Sequence, residues 1–245
     1  MPALSVVIIT LNEEKNIARC LASAIAVGDE AIVADTGSTD NTVSIATSMG
    51  AKVYNLPFEG YGATKNKANL LASYDFILWL DADEALDKTA IDAVIDWKNS
   101  FKNDNEAASL NRQNKIGEKW IQHGEWYPDA KIRLLNRNVF TWNLKAVHES
   151  LHANTEIKTK KLPGNVLHHA YDNIAQLQEK TRKYALLASH ETSPKNRLKG
   201  TIAAVFRFTK AYILKQGFRD GYLGFKIAKI NALGAYWKYT LNSTS

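Results

Sequence analysis

The sequence predicts an α/β fold, a mainly parallel doubly wound sheet followed by a basic helical extension, and three observations predict it. Apolar, β-branched runs alternate with helix-spaced segments over the first ~90 residues, the alternation that builds parallel strands joined by crossover helices. The runs Leu4–Thr10 (LSVVIIT) and 76–80 (FILWL) are continuously apolar rather than alternating, as in strands covered on both faces. From residue 195 on, ten Lys/Arg stand against one acid, Asp220, so this segment carries +9 and residues 1–194 carry −3 within the total of +6.

Leu4–Thr10 reads as the first strand. Residues 12–26 follow, with Glu13 and Glu14 leading and Ile17, Leu21 and Ile25 at helical spacing, and read as a helix. Residues 31–34 form a second strand ending at Asp35. The turn Gly37-Ser38-Thr39-Asp40 then caps a helix carrying Val43, Ile45 and Ala46, with Asp40 as a helix-start acid. Lys52–Asn55 is a third strand, 61–73 a helix and 76–80 the fourth strand. Beyond Asp83 the alternation fades into a helix over 88–102 and then short strands and loops to about residue 166. Helical character returns over 173–189, and residues 200–241 are helical with Gly217, Gly221, Gly224 and Gly234 as breaks. The expected organisation is one catalytic domain over 1–194 and a basic amphipathic helical tail over 195–245, packed on that domain, on a membrane surface, or on both.

A composition of 45% apolar and 23% charged residues is that of a globular protein. The single Cys20 excludes an internal disulfide and fits a reducing compartment. Leu4–Thr10 lacks the basic flank of a signal peptide and runs into Asn12-Glu13-Glu14, and no stretch reaches the ~18 apolar residues of a spanning helix. The expectation is a cytoplasmic protein, peripheral on the inner face of the cytoplasmic membrane. Residues 204–215 interleave aromatics and cations at helical spacing. That suits a helix lying on anionic lipid, and equally a packed helix whose Lys stems snorkel. No nucleic acid partner is expected, because no binding motif accompanies the charge.

The fourth strand runs into Asp81-Ala82-Asp83, which would bring two carboxylates to the exposed end of a buried strand, on one side if the chain stays extended. Such oxygens suit a hard divalent cation that also grips a phosphate; the plain alternative is a helix cap before Glu84. Asp35 can accept a hydrogen bond from a base edge or satisfy its own loop amides. Trp126, Tyr127 and Trp142 lie among Glu125, Asp129 and Glu149, the pairing of aromatic faces and carboxylates that holds sugars, though for any one of these aromatics alone core burial is the better reading. A transfer with inversion needs a general base near the acceptor hydroxyl, for which Glu149 is the first candidate and Asp129 the second. His168 or His169 could complete a metal shell or hold a phosphate, though a lone histidine is more often structural; Lys131 and Arg133 could contact a phosphate, though solvated strand-edge charges are the commoner reading.

Together these residues resemble the family 2 inverting glycosyltransferases of GT-A fold, a Rossmann-like, mainly parallel arrangement. The resemblance rests on Leu4 to Glu14 (LSVVIITLNEE), on Asp35-Thr36-Gly37-Ser38-Thr39-Asp40 and on Trp79-Leu80-Asp81-Ala82-Asp83, in order and at the right spacing. Trp126-Tyr127-Pro128-Asp129, Arg133-Leu134 and Val147-His148-Glu149 resemble a narrower branch, the lipopolysaccharide inner-core β-1,4-glucosyltransferases that act on heptose. The resemblance implies a UDP-sugar donor contacted by Thr10, Asn12, Glu13, Asp35 (uracil) and Asp81 (ribose region). It implies Mg²⁺ or Mn²⁺ on Asp83 and Glu149 as base; beside Asp83, Asp81 and His168 are the residues that could add to the metal shell. The acceptor, a lipid-linked heptose of the lipopolysaccharide core, would meet Trp126, Tyr127, Asp129, Arg133 and Trp142, and the tail an anionic membrane surface. Two departures stand out: Thr36 replaces the second Asp of the common Asp-Asp-Gly-Ser, and His148-Glu149 replaces the usual Glu-Asp pair.

Sugar-1-phosphate nucleotidyltransferases are disfavoured, since they need a glycine-rich phosphate loop where this chain has Thr10-Leu11-Asn12-Glu13-Glu14. A polyprenyl-phosphate or other lipid-linked saccharide glycosyltransferase shares the donor half and differs only over about 111–171. A non-catalytic membrane-surface scaffold is the alternative from another class, opposed by the intact Asp81, Asp83 and Glu149.

Overall fold

Continuous apolar runs can be buried on both faces only if helices cover both, and the first compact unit is built that way. It comprises residues 1–112 and 130–168. The computed structural model describes residues 2–100, 105–143, 151–154, 156–189 and 196–241. In chain order its elements are β1 (Leu4–Thr10), α1 (Ile17–Ile25), β2 (Glu30–Asp35), α2 (Thr42–Ser48), β3 (Lys52–Asn55), α3 (Tyr61–Leu70), β4 (Phe76–Asp81), β5 (Glu84–Leu86) and α4 (Lys88–Ser100). The antiparallel part follows as β6 (Glu106–Ile116), β7 (Lys119–Trp120), β8 (Ala130–Asn136), β9 (Phe140–Trp142), β10 (Leu151–Ala153) and β11 (Lys158–Tyr171).

The strand order is β3-β2-β1-β4-β8-β6-β11-β5. The first four strands are parallel, with Ser5 opposite Glu30 and Ile77, and Ile32 opposite Lys52. From β4 onward the pairing turns antiparallel, through β8 and β6. The expectation of a mainly parallel sheet thus describes the half that carries the Asp-x-Asp. The later half, expected as short strands and loops, contains strands of 11 and 14 residues. Their half-buried polar positions hid them from a reading based on apolar runs.

Alternation along β1 divides the core in two. Leu4, Val6 and Ile8 pack with Ile17, Cys20 and Leu21 of α1 and with Val94 and Trp97 of α4. Val7 faces the other way, with Ile32, Ile77, Trp79, Ala68 of α3 and Phe140. Burying such side chains stabilises each by about 1.5–3 kcal/mol, which is why both faces of the strands stay apolar.

The second unit comprises residues 113–129 and 169–245. It holds α5 (Ile174–Ser189), α6 (Arg197–Thr209), a π-helical turn Lys210–Leu214, a 3-10 turn Gly217–Asp220 and α7 (Gly221–Thr240). Ile116, Ile121, Leu177, Ile227 and Ile230 form its core. The basic segment from residue 195 shares this core with residues 113–129 and α5, a division different from the expected boundary at 194/195. Gly217 and Gly221 do interrupt the helices, but Gly224 and Gly234 lie inside α7. A Cβ at Gly234 would stand 2.6 Å from the Thr181 methyl and one at Gly224 1.9 Å from the Gly217 carbonyl, so close packing, not a helix break, calls for these two glycines.

Candidate active site

The strand register lines up the carboxyl ends of the parallel strands. Thr10 lies opposite Asp35, Asp35 opposite Asn55, and Ile9 opposite Asp81. From β1 the chain winds outward through β2 and β3, then returns to place β4 on the other side of β1. The β1/β4 gap is therefore a topological switch point, where the outgoing loops diverge and open a crevice at the carboxyl ends. Asp81 closes β4 at this point, and Asp83 follows two residues later.

The two loops leaving β1 and β2 are tied together. Asn12, held at φ 55°, donates its N–H to Ser38 Oγ (2.8 Å) and accepts from the Thr39 N–H (2.8 Å). The Glu13 N–H reaches Thr42 Oγ1 (2.8 Å), and the Glu14 N–H reaches Asp40 Oδ2 (3.1 Å). These ties explain why α1 begins at Ile17 rather than near residue 12. Asp40 also accepts from the N–H of Thr42, the first residue of α2, as a helix-start acid should. Asp35 is buried and accepts from the Gly37 N–H (3.1 Å), the Ser38 N–H (3.0 Å) and the Ser38 hydroxyl. A carboxylate has about four acceptor positions, so three such bonds leave room for one from a ligand. Thr10 is buried, and its carbonyl receives the N–H and hydroxyl of Thr36.

At the β4 end, Asp81 is half-buried. Desolvation pushes its carboxyl up, but Lys65, Arg133, His168 and Arg112 together hold it below the usual carboxylate range, so it stays ionised. Asp83 faces His168, whose Nε2 lies 3.1 Å from Oδ2. Glu13, expected to contact the nucleotide, accepts from the Asn16 side-chain amide. Burial raises its carboxyl, and the negative charges of Asp83 and Asp40 add to that. The switch point thus gathers Asp81, Asp83, Glu13 and His168 in one electrostatic neighbourhood.

Beneath it lies a support that sequence reasoning missed. Glu84 is fully buried, accepts the Asp81 N–H (3.0 Å), and pairs with Arg133 (2.5 Å). Arg133, expected on the sequence to meet a ligand anion, is 7% exposed and points at Glu84, because a buried carboxylate demands a buried cation. The Asp81-x-x-Glu84 spacing was visible in the sequence; the burial that gives it meaning was not. Lys65 was missed too. On α3, its Nζ lies 4.4 Å from the Trp142 ring centroid, and the neighbouring Asn66 holds the Trp142 backbone through two hydrogen bonds of 2.8 and 2.9 Å. Trp142 packs edge-on against Trp79, so its ring serves core as well as surface.

Trp126, Tyr127 and Asp129 belong to the second unit. Trp126 packs against Tyr171 and that unit's apolar core. In the same unit His169 stands edge-on to Trp120. Glu149, with His148, lies outside the described residues. The Asp83 carboxylate fits a hard divalent cation in donor type and the His168 imidazole is a softer nitrogen donor beside it, although among the described residues no three acidic, histidine or cysteine side chains are arranged to hold a metal by themselves.

The family model for glycosyl transferase family 2 matches residues 5–183. An uncharacterized glycosyltransferase of Rickettsia felis is 29% identical, covering 96% of this chain and 88% of the relative. One of Rickettsia typhi is 30% identical, over 92% and 81%. Among solved structures, S. aureus TarS 1–349 in complex with UDP superposes with a TM-score of 0.49 at 19% identity, over 96% of this chain and 80% of that one. Glucosyl-3-phosphoglycerate synthase from Mycobacterium tuberculosis, in complex with Mn²⁺, UDP and glucosyl-3-phosphoglycerate, gives 0.37 at 25% identity over 47% and 44%.

Proposed function

The chain belongs to glycosyl transferase family 2 and is a glycosyltransferase; from that premise we propose that it moves glucose from UDP-glucose, with inversion, onto a heptose of the lipopolysaccharide inner core. The observation that carries the donor half is the Asp81/Asp83 pair at the switch point, with Asp81 kept ionised by surrounding cations and Asp83 beside His168.

In this reading Asp83 would hold Mg²⁺ or Mn²⁺, with His168 or Asp81 assisting. When bound, the cation neutralises charge developing on the departing UDP. Asp81 meets the ribose region, and Asp35 uses its remaining acceptor position for the uracil N–H. Glu84 and Arg133 hold the Asp81 backbone in place from below. Glu149 takes the acceptor proton, with Asp129 as the second candidate. The heptose acceptor rests on the likeness of Trp126-Tyr127-Pro128-Asp129 and Val147-His148-Glu149 to the inner-core branch, and on the +9 segment, which suits an acceptor carried on the anionic inner face of the cytoplasmic membrane.

The test is UDP release from UDP-glucose, UDP-galactose and UDP-N-acetylglucosamine, and GDP release from GDP-mannose, with Mn²⁺ or EDTA and a heptose-terminated lipopolysaccharide acceptor. We expect metal-dependent turnover of UDP-glucose that requires the heptose, and a loss of about 10²-fold or more in Asp83→Ala with the fold retained. Turnover only with polyprenyl phosphate would overturn the acceptor. Full activity of Asp83→Ala would overturn the metal site.

A further inference from the structure

Along α6, Leu198, Ile202, Val205 and Phe206 fall at i, i+4, i+7 and i+8, one stripe of a helix. They are 71%, 61%, 61% and 66% exposed. The opposite face is committed: Gly200 is buried, and a Cβ there would stand 3.2 Å from Tyr236 of α7. The row continues through Ile213 and Leu214 of the π-helical turn, also more than half exposed. A packed helix buries its apolar stripe; this one buries its glycine side and turns its large apolar side chains outward.

The surroundings are cationic. Arg197, Lys199, Lys215 and Arg219 are all exposed. The acid of this segment, Asp220, is turned inward, where it accepts from the His123 N–H (2.9 Å) and lies 2.9 Å from His123 Nδ1. Glu125 is likewise engaged, by Arg207 (2.8 Å) and Lys210 (3.3 Å). Apolar side chains flanked by cations, with Asp220 turned inward and Glu125 ion-paired, complement a surface that offers hydrocarbon below negative headgroups. A second copy of this chain would bring an identical cationic rim against the first, which disfavours pairing through the same face. Among the described residues no helix is long and apolar enough to cross a membrane.

We propose that the outer stripe of α6 and the π-helical turn is the surface by which this chain docks on an anionic phospholipid bilayer, lying in the interface rather than spanning it. The inference deepens the reading of a lipid-linked acceptor and rests on it for its purpose. Arg207 and Lys210, on the docking segment, hold Glu125, the residue before Trp126, so the same unit that meets the membrane carries the expected acceptor residues Trp126 and Tyr127.

The experiment is co-sedimentation of the full chain with vesicles of phosphatidylcholine alone and of equal parts phosphatidylcholine and phosphatidylglycerol, without donor or acceptor. Binding is expected to the anionic vesicles, about ten-fold or more tighter than to the neutral ones. The triple variant I202S/V205S/F206S should weaken it about ten-fold or more, with an unchanged melting curve, since all three side chains are exposed. The variant K199Q/K215Q/R219Q should lose the preference for phosphatidylglycerol. Because Cys20 is buried and is the chain's single cysteine, Val205→Cys accepts one spin label, which should become shielded from a water-soluble relaxant on the anionic vesicles. Equal binding to both vesicle types, undiminished binding by the triple variant, or a dimer that the triple variant dissociates without vesicle binding would overturn the proposal. Transfer to a soluble acceptor fragment is scored separately, so failure on vesicles leaves the enzymatic reading standing, and the reverse.

Discussion

The acids at the two ends of the parallel sheet sit in different electrostatic settings. At the amino end, Glu30 accepts from Ser5 (2.5 Å), Lys52 (2.6 Å) and both the N–H (2.6 Å) and hydroxyl (2.8 Å) of Ser73. Asp29 accepts from the Leu4 N–H (2.8 Å) and from Lys98 (2.7 Å). Burial works against the Glu30 carboxylate, yet these bonds drive its pKa down to about 2. At the carboxyl end, the Glu13 carboxyl is pushed up instead, by burial first and by crowding from Asp83 and Asp40. At the amino end Asp29 and Glu30 are each matched with donors. The other end brings more carboxylates within reach of one another, so that Glu13 feels Asp83 and Asp40 even while cations hold Asp81 ionised.

Glu84 gives the sharpest way to break this contrast, because it sits at the carboxyl end and is paired as the amino-end acids are. Glu84→Ala leaves the buried Arg133 without its paired carboxylate and should cost about 3–5 kcal/mol by denaturant unfolding. Replacing both, as Glu84→Leu with Arg133→Met, should recover most of that stability. A loss equally large in the double variant would mean that packing, not charge, makes Glu84 matter.

A smaller effect is expected at the amino end. The Glu30 carboxyl, at about 2 when folded against an ordinary 4.5, contributes stability that is present above pH 4.5 and lost as the pH falls through about 2. Allowing for solvent screening, Glu30→Gln should cost on the order of 1–2 kcal/mol at neutral pH and flatten the acid limb of the stability profile. An unchanged acid limb in Glu30→Gln would assign the limb to other carboxylates.

The smallest change in stability belongs to the residue proposed to matter most for catalysis. Asp83→Ala should alter stability by no more than about 0.5 kcal/mol, since relief of like-charge crowding offsets the lost contact with His168. The same substitution should lower the Glu13 pKa, read by carboxyl-carbon NMR titration. A Glu13 titration that does not move would show that burial alone raises it.

Much of this was legible along the chain because it is local. A continuous apolar strand followed by Asp81-Ala82-Asp83 needs only its neighbours to be read, and so does the Asp35 turn. Asp40 as a helix-start acid is equally local, and the structure places it there. Arg133 was misread for the opposite reason: an arginine among alternating residues looks solvent-facing until a carboxylate 49 positions away takes it inward. Gly224 and Gly234 were read as breaks because a glycine in a helical pattern carries no mark of the neighbour that needs the space.

The sequence by itself determined the α/β class, the parallel strands and the placement of an acidic pair at a strand end, because hydrophobic periodicity and short motifs act over a few residues. Only the tertiary structure decided the antiparallel half of the sheet, the Glu84–Arg133 support, the approach of His168 to Asp83 and the outward turn of the α6 stripe. Each depends on which distant segment lies opposite, and a side chain's burial and charge environment are set by that neighbour, not by its own position in the chain.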